Sequence, residues 1–251
     1  MSGAASRALI HELQEKIDKI AGGSARKRTT LPFGVPEIDD RLPGGGLAFG
    51  ALHEIAGGGS DAVAGAVSAL LAASIAARTK GTVVWCLTRP DLFAPGLAQV
   101  GLHPDRVIHC ESDNEDGVLA SMEEALSFGG LSVVVGELVR LPMTESRRLH
   151  LAAEKTGVMG IIIRRWRRQT EATDFGNPTA SSTRWRVSCL PSEPLPVEGI
   201  GRPRWLLELI RAKAGESFDI AVGAPDSNGL LSPVRREQPL SEAGGPKWSR
   251  I

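Results

Sequence analysis

Residues 52–66 read Leu-His-Glu-Ile-Ala-Gly-Gly-Gly-Ser-Asp-Ala-Val-Ala-Gly-Ala, which keeps the frame of a phosphate-binding loop and loses its chemistry. Such a loop reads G-x-x-x-x-G-K-[ST] between a strand and a helix. Gly57 fits the first glycine, but the second falls on Ala62, the lysine on Val63 and the hydroxyl residue on Ala64. The lysine would bring positive charge to the β- and γ-phosphates, and the hydroxyl would hold Mg²⁺. Val63 and Ala64 can do neither. Gly57, Gly58 and Gly59, followed by Ser60, could still form a backbone nest that favours an anion, or simply a Gly-rich turn. The pattern predicts a degenerate loop on a chain built like an ATPase, with no catalytic residue, cofactor or metal. The following helix carries mostly Ala and Ser between its larger side chains, so loss of the lysine fits a site turned over to packing.

A second group of residues suits phosphate contact and base stacking. Arg164, Arg165, Trp166, Arg167 and Arg168 directly follow an apolar run, and Arg184 and Arg186 flank Trp185. Guanidinium groups bind phosphates and stack, and an indole offers a face to unpaired bases. Between Ile161 and Lys213 there are ten basic residues against five acids, a local excess that suits nucleic acid or an acidic partner. Strand alternation would instead place Trp185 and Trp205 in the core and their arginine neighbours on a solvated face.

The elements that would position these groups alternate along the chain. Strands are expected at Ala51–Ile55, Thr82–Leu87, 106–110, Leu131–Val135 and Gly160–Ile163. Helices are expected at 62–78, 115–127 and 144–155, the last capped by Thr144 or Ser146, with a helix or turn at 91–99. Such alternation predicts an α/β fold with a mostly parallel sheet covered on both faces. Arg184–Leu190, Pro203–Lys213 and Phe218–Val222 look like an antiparallel extension. Residues 169–183 read as a mobile loop and 191–203 as a Pro-rich loop. Leu9, Leu13, Ile17 and Ile20 recur at helical spacing, so residues 1–30 form an amphipathic arm with a basic linker, a candidate docking helix. Residues 31–223 would be the core, and 224–251, poor in apolar residues, a disordered tail.

Composition narrows the class. In 251 residues, 29 Lys and Arg balance 29 Asp and Glu, so no global charge pulls the chain to nucleic acid or membrane. Three scattered cysteines argue for a reducing compartment, and no spacing suggests a metal site. With neither a signal-like nor a membrane-spanning apolar run, a cytoplasmic location is expected.

The segment Leu31-Pro-Phe-Gly-Val-Pro-Glu-Ile-Asp-Asp-Arg-Leu-Pro-Gly-Gly-Gly-Leu, followed by Gly50-Ala-Leu-His-Glu-Ile-Ala-Gly, resembles the entry to a RecA core, and the similarity runs to about residue 165. Thr183-Arg184-Trp185-Arg186-Val187 and Gly201-Arg202-Pro203-Arg204-Trp205-Leu206-Leu207-Glu208-Leu209 narrow the resemblance to the ImuA group, RecA-like accessory proteins of bacterial mutagenesis cassettes. The resemblance implies a RecA-like three-layer core with antiparallel C-terminal strands and an N-terminal helix arm. It also shows what is missing. The acid that would help hold Mg²⁺ falls on Gly136, with Glu137 one place later and hence on the other face of the strand. The catalytic glutamate falls on Arg89. Glu137 then reads best as a helix-start or surface carboxylate. Three lost parts imply a non-hydrolysing relative.

The function so implied is an adaptor in DNA-damage tolerance. Its partners would be an ImuB-like inactive Y-family polymerase, an error-prone replicative-type polymerase, RecA and/or single-stranded DNA. Two other readings stand beside it. One is an ATPase with a non-standard loop, using Ser60, Asp61 and Glu137. The other is a division inhibitor of the SulA type, against which the long arm and the Arg-Trp-Arg strand speak.

Overall fold

A computed structural model describes residues 29–58, 61–166 and 169–234. The arm residues Leu9, Leu13, Ile17 and Ile20, the loop residues Gly59 and Ser60, Arg167, Arg168 and residues 235–251 lie outside the described residues.

The described chain opens with β1 (Thr30–Leu31), α1 (Pro36–Asp39) and β2 (Leu47–Ala48). The repeating core follows as β3 (Leu52–Gly57), α2 (Asp61–Ala77), β4 (Val83–Leu87), α3 (Ala94–Gln99), β5 (Val107–Glu111), α4 (Glu115–Phe128), β6 (Val133–Leu138), α5 (Met143–Thr156) and β7 (Met159–Arg164). A 3-10 segment (Gln169–Gly176) leads into β8 (Thr183–Leu190), β9 (Arg204–Ala212), β10 (Phe218–Gly223) and β11 (Ser232–Pro233). Among the described residues, nine strands form one sheet in the order β11-β10-β9-β8-β3-β7-β6-β4-β5. From β8 to β5 every pairing is parallel, and from β8 to β11 every pairing is antiparallel.

Two apolar clusters sandwich this sheet. On one face, Val67, Leu71 and Ile75 of α2 meet Ile55, Trp85, Val135, Ile161, Trp185 and Leu207. On the other, Val118, Met122 and Leu126 of α4 and Leu149 of α5 meet Leu52, Cys86, Val134 and Ile162. A period of two along each strand sorts its side chains between these layers. Helix α4 begins where the Asn114 side chain accepts from the Gly117 amide at 2.9 Å, and ends at Gly129 with φ 78°. Helix α5 is not capped by Thr144 or Ser146 as expected. Its cap position is Pro142, and the Ser146 hydroxyl instead donates to Met143 and accepts from the Ala180 amide at 3.0 Å.

Helix α2 is apolar nearly all round, so it needs cover on its outer side too. Phe33, Val35, Ile38 and Leu42 supply part of it, and Leu231 and Gly229 supply more. The expected tail is therefore corrected. Residues 224–234 pack onto the core through buried Gly229 and Leu231, and Asp226 tightens a turn there by accepting from the Asn228 and Leu230 amides. Few apolar residues were needed to hold it, because α2 presents the apolar surface.

The tryptophans of the antiparallel strands are core, as alternation suggests. Trp185 is fully buried, with its ring 5.2 Å from that of Phe33. Its indole donates to Thr183 Oγ1, which meets His53 Nδ1 at 2.8 Å, while His53 Nε2 meets the Ala48 carbonyl at 2.9 Å. Burial pushes the His53 pKa down to about 4, so the ring is neutral with its proton assigned to Nε2 by these partners.

Candidate functional site

The carboxyl ends of β3, β4, β6 and β7 share one edge of the sheet, the edge where open α/β sheets take ligands. The Gly-rich turn leaves β3 there. Gly57 packs against the backbone of Ala64, and Gly58 against the Ser188 side chain, so neither position has room for a Cβ. The Gly58 amide donates to Val187 at 2.7 Å. Ala62 lies at the start of α2 and Ala64 is buried, but Val63 is 46% exposed. The lysine position has therefore not been turned over to packing, contrary to expectation. It faces solvent because it lies on the outer side of the first turn.

Gly136 and Glu137 sit on opposite faces of β6, as a one-residue offset demands. A Cβ on Gly136 would collide with Met122, so α4 closes that face. Glu137 is a buried carboxylate on the α2 side, which corrects its reading as a surface or helix-start acid. It accepts from Trp85 Nε1 at 2.9 Å and pairs with Arg165 at 2.6 Å. Arg165 also forms a two-pronged pair with Asp91 at 2.8 and 2.9 Å. These bonds, led by that to Asp91, hold the guanidinium charged, and the same guanidinium holds the Asp91 carboxyl below its usual range. The Arg165 Nε stands 3.3 Å from where a Cβ on Gly65 would lie, hard against the first turns of α2.

Beside this cluster opens a cleft of about 420 Å³, bordered by Thr88 and Arg89 after β4, Asp113 before α4 and Glu115 at its start, and Glu137, Arg165 and Glu171. Carboxylates outnumber cations around it, and Arg165 is already matched by Glu137 of the lining and by Asp91 outside it. Glu115 fixes the chain after β6 by accepting from the Val139 amide at 2.7 Å. Such a lining disfavours a polyphosphate. Among the described residues no group of His, Cys, Asp and Glu is placed to hold a metal ion.

Arg164, next in sequence to Arg165, points to the opposite face. Its side chain is fully buried, pairs with Glu54 at 3.0 Å and with Asp174, and donates to the Val139 carbonyl. Arg184 joins the same nest, 3.4 Å from Glu54 and bonded to the carbonyls of Phe175 and Asn177. Thr179 donates to Glu54 Oε1, the oxygen that Arg184 faces, while Arg164 pairs with Oε2. Neither Arg164 nor Arg184 presents its charge to a DNA phosphate, and both are withdrawn from the expected binding set. The buried charges also explain the segment above them. Residues 169–183, expected as a mobile loop, include the 3-10 segment that docks Asp174 and Phe175 onto the nest, with Trp166 packing on Phe175 at 5.9 Å. Arg186 remains on the surface, paired with Glu208 of β9 at 2.6 Å.

Sequence reasoning missed Glu54, Asp91, Asp174 and Thr179. One signal was available, since Glu54 interrupts an apolar central strand and a carboxylate there requires buried partners.

The fold and this edge define a RecA-like protein. The crystal structure of the RadB recombinase superposes with a TM-score of 0.58 at 17% identity, covering 81% of this chain and 99% of that one, a likeness of fold alone. The chain belongs to the ImuA family. It is 38% identical to Protein ImuA of Caulobacter vibrioides over 230 residues, 88% of this chain and 93% of that protein. No family model matches. A local similarity to the cell division inhibitor SulA of Photorhabdus laumondii, 32% over 82 residues, covers a third of this chain and 46% of that protein. Among the described residues no helix is long and apolar enough to cross a membrane.

Proposed function

We propose that this protein is a non-hydrolysing RecA-like adaptor in DNA-damage-induced mutagenesis. It links a translesion assembly, made of an ImuB-like inactive Y-family polymerase and an error-prone polymerase, to RecA and/or single-stranded DNA. The observation that carries the reading is the state of the phosphate edge. Val63 and Ala64 stand where charge and hydroxyl are needed, and the guanidinium beside the first turns of α2 is neutralised by Asp91 and Glu137. Among the described residues, a site arranged this way lacks the lysine and the Mg²⁺-holding hydroxyl that a triphosphate and its hydrolysis require. Family membership supports the cellular setting. The amphipathic arm carrying Leu9, Leu13, Ile17 and Ile20 is the proposed contact with RecA, and Arg167, Arg168 and Arg186 are the remaining candidates for single-stranded DNA.

Calorimetry on the full chain tests both halves of this reading. Mg-ATP should give no binding heat, with or without single-stranded DNA, while RecA filaments or the ImuB-like subunit should saturate. Tight nucleotide binding would reopen the ATPase reading. Failure to bind either protein would end the adaptor.

A further inference from the structure

Cys86 of β4 and Cys110 of β5 are direct partners in the parallel ladder. Partners in a ladder point to the same face, and neighbouring strands lie about 4.8 Å apart, inside the Cα window of a disulfide. Both thiols belong to the layer beneath α4 and stand within hydrogen-bonding reach of each other. Their access differs. Cys86 is fully buried, and burial first, then the Cys110 thiol, pushes its pKa up to about 12. Cys110 is only half-buried. A small oxidant therefore meets Cys110 first and finds Cys86 directly behind it. Closing the bond asks the two Cβ atoms to approach by roughly 1 Å. Strand β5 is outermost in the sheet, with Ile108, His109 and Glu111 exposed, so among the described residues no further strand resists that shift. The pair also stands at the root of the cleft. Thr88 and Arg89 follow β4, Asp113 follows β5, and the Ser112 amide ties the two walls by donating to the Leu87 carbonyl at 2.9 Å. A half-exposed strand bonded on one side opens more readily than its central neighbours.

We propose that Cys86 and Cys110 form a peroxide-responsive thiol pair that closes reversibly to a disulfide and fastens edge strand β5, with its side of the cleft, to the centre of the sheet. The Cys110 sulfur, as thiolate, attacks one oxygen of a peroxide. The O–O bond breaks, hydroxide leaves, and Cys110 becomes a sulfenic acid. The Cys86 sulfur then bonds to that sulfur, and its proton departs with the displaced hydroxide as water. Two thiols and one hydrogen peroxide thus give one disulfide and two waters, the sulfurs losing the two electrons that the peroxide gains. A dithiol reductant reverses the step by exchange.

The test uses the full chain carrying Cys189→Ser, which removes the exposed third thiol. The folded protein is treated with hydrogen peroxide, quenched in acid, alkylated and digested. Mass spectrometry should find one cross-linked peptide pair joining Cys86 to Cys110, lighter by two hydrogens and absent after dithiothreitol. In the cross-linked protein the β5 amides that pair with β4 should exchange about tenfold more slowly, and recover on reduction. Cys86→Ala should leave a sulfenic acid on Cys110 that dimedone captures, and Cys110→Ala should leave Cys86 unoxidised at the same peroxide concentration. The cross-link in the Cys189→Ser chain decides the matter even if an alanine variant fails to fold. Dimedone capture at Cys110 without a cross-link, in the chain that keeps both thiols, would overturn the pair. A cross-link that forms only in denaturant would do the same. A cross-link in the folded protein with unchanged exchange would overturn the fastening of β5.

Discussion

Arg164 and Arg165 leave the same strand one residue apart and enter two charge clusters on opposite faces of the sheet. On the α5 side, Glu54, Arg164, Arg184 and Thr179 are buried beneath the 3-10 segment, and Asp174 closes the nest from above. On the α2 side, Arg165 bridges buried Glu137 to exposed Asp91 at the lip of the cleft. The residue types are the same and the burial differs. In the sealed nest, every charge depends on its neighbours, because water cannot replace a lost partner. In the open one, Arg165 keeps some solvent and two carboxylates, so one partner can be lost. The sealed nest therefore organises the fold, by pinning residues 169–183 over β3, β7 and β8. The open cluster occupies the edge where a nucleotide would sit.

This contrast is most exposed by Glu54→Ala. Two guanidinium groups would be left buried around a missing carboxylate, and breaking a buried pair in this way costs about 3–5 kcal/mol. For a domain of this size the melting temperature should fall by roughly 6–20 °C, with residues 169–183 becoming the first site of proteolysis. Thermal melts and limited digestion would check it. A fall within a degree or two would mean that the nest is not sealed.

Glu137→Gln probes the open cluster. Glutamine can still accept from Trp85, and Arg165 keeps its two-pronged pair with Asp91. With the guanidinium partly in water, the expected cost is about 1 kcal/mol, read as a small shift in the denaturant midpoint. A loss as large as that of Glu54→Ala would erase the distinction between the two faces. The same variant sharpens the functional reading, because Mg-ATP should still give no binding heat without the carboxylate.

The clusters also show what a single sequence discloses. The order of strands and helices was legible because apolar periodicity and Gly/Pro punctuation are local signals. The offset of Glu137 from Gly136 was legible because a strand turns its side chains by a fixed rule. The fate of a charge was not. Arg164 looked like a DNA-binding residue because it stands in a basic run, yet its facing is fixed by β7, one partner, Glu54, lies 110 residues back in the chain, and the other, Asp174, sits in a segment that reads as loop. Residues 169–183 looked mobile for the complementary reason, since their polar groups find partners only after β3, β7 and β8 have assembled. Residues 224–234 were read as tail because their few apolar side chains gave no sign of the helix that they cover.

Arg186 gives the smallest expected effect on stability and the cleanest one on binding. It shares the face of β8 with Arg184 but lies beyond the cover of the 3-10 segment, with its side chain 45% exposed and paired to Glu208. An exposed pair of this kind contributes up to about 1 kcal/mol, so Arg186→Ala should barely move the melting temperature. If Arg186 touches a phosphate of single-stranded DNA, its removal should weaken binding uniformly across sequences. It should also flatten the salt dependence by about 0.7 in the slope of log K against log salt, the amount expected for one phosphate contact. Fluorescence anisotropy over a salt series measures both. An unchanged slope would leave Arg186 as a surface ion pair on β8 and confine any DNA contact to Arg167 and Arg168. The comparison would then sharpen further, because every arginine of β7 and β8 described here would serve the fold or the cleft.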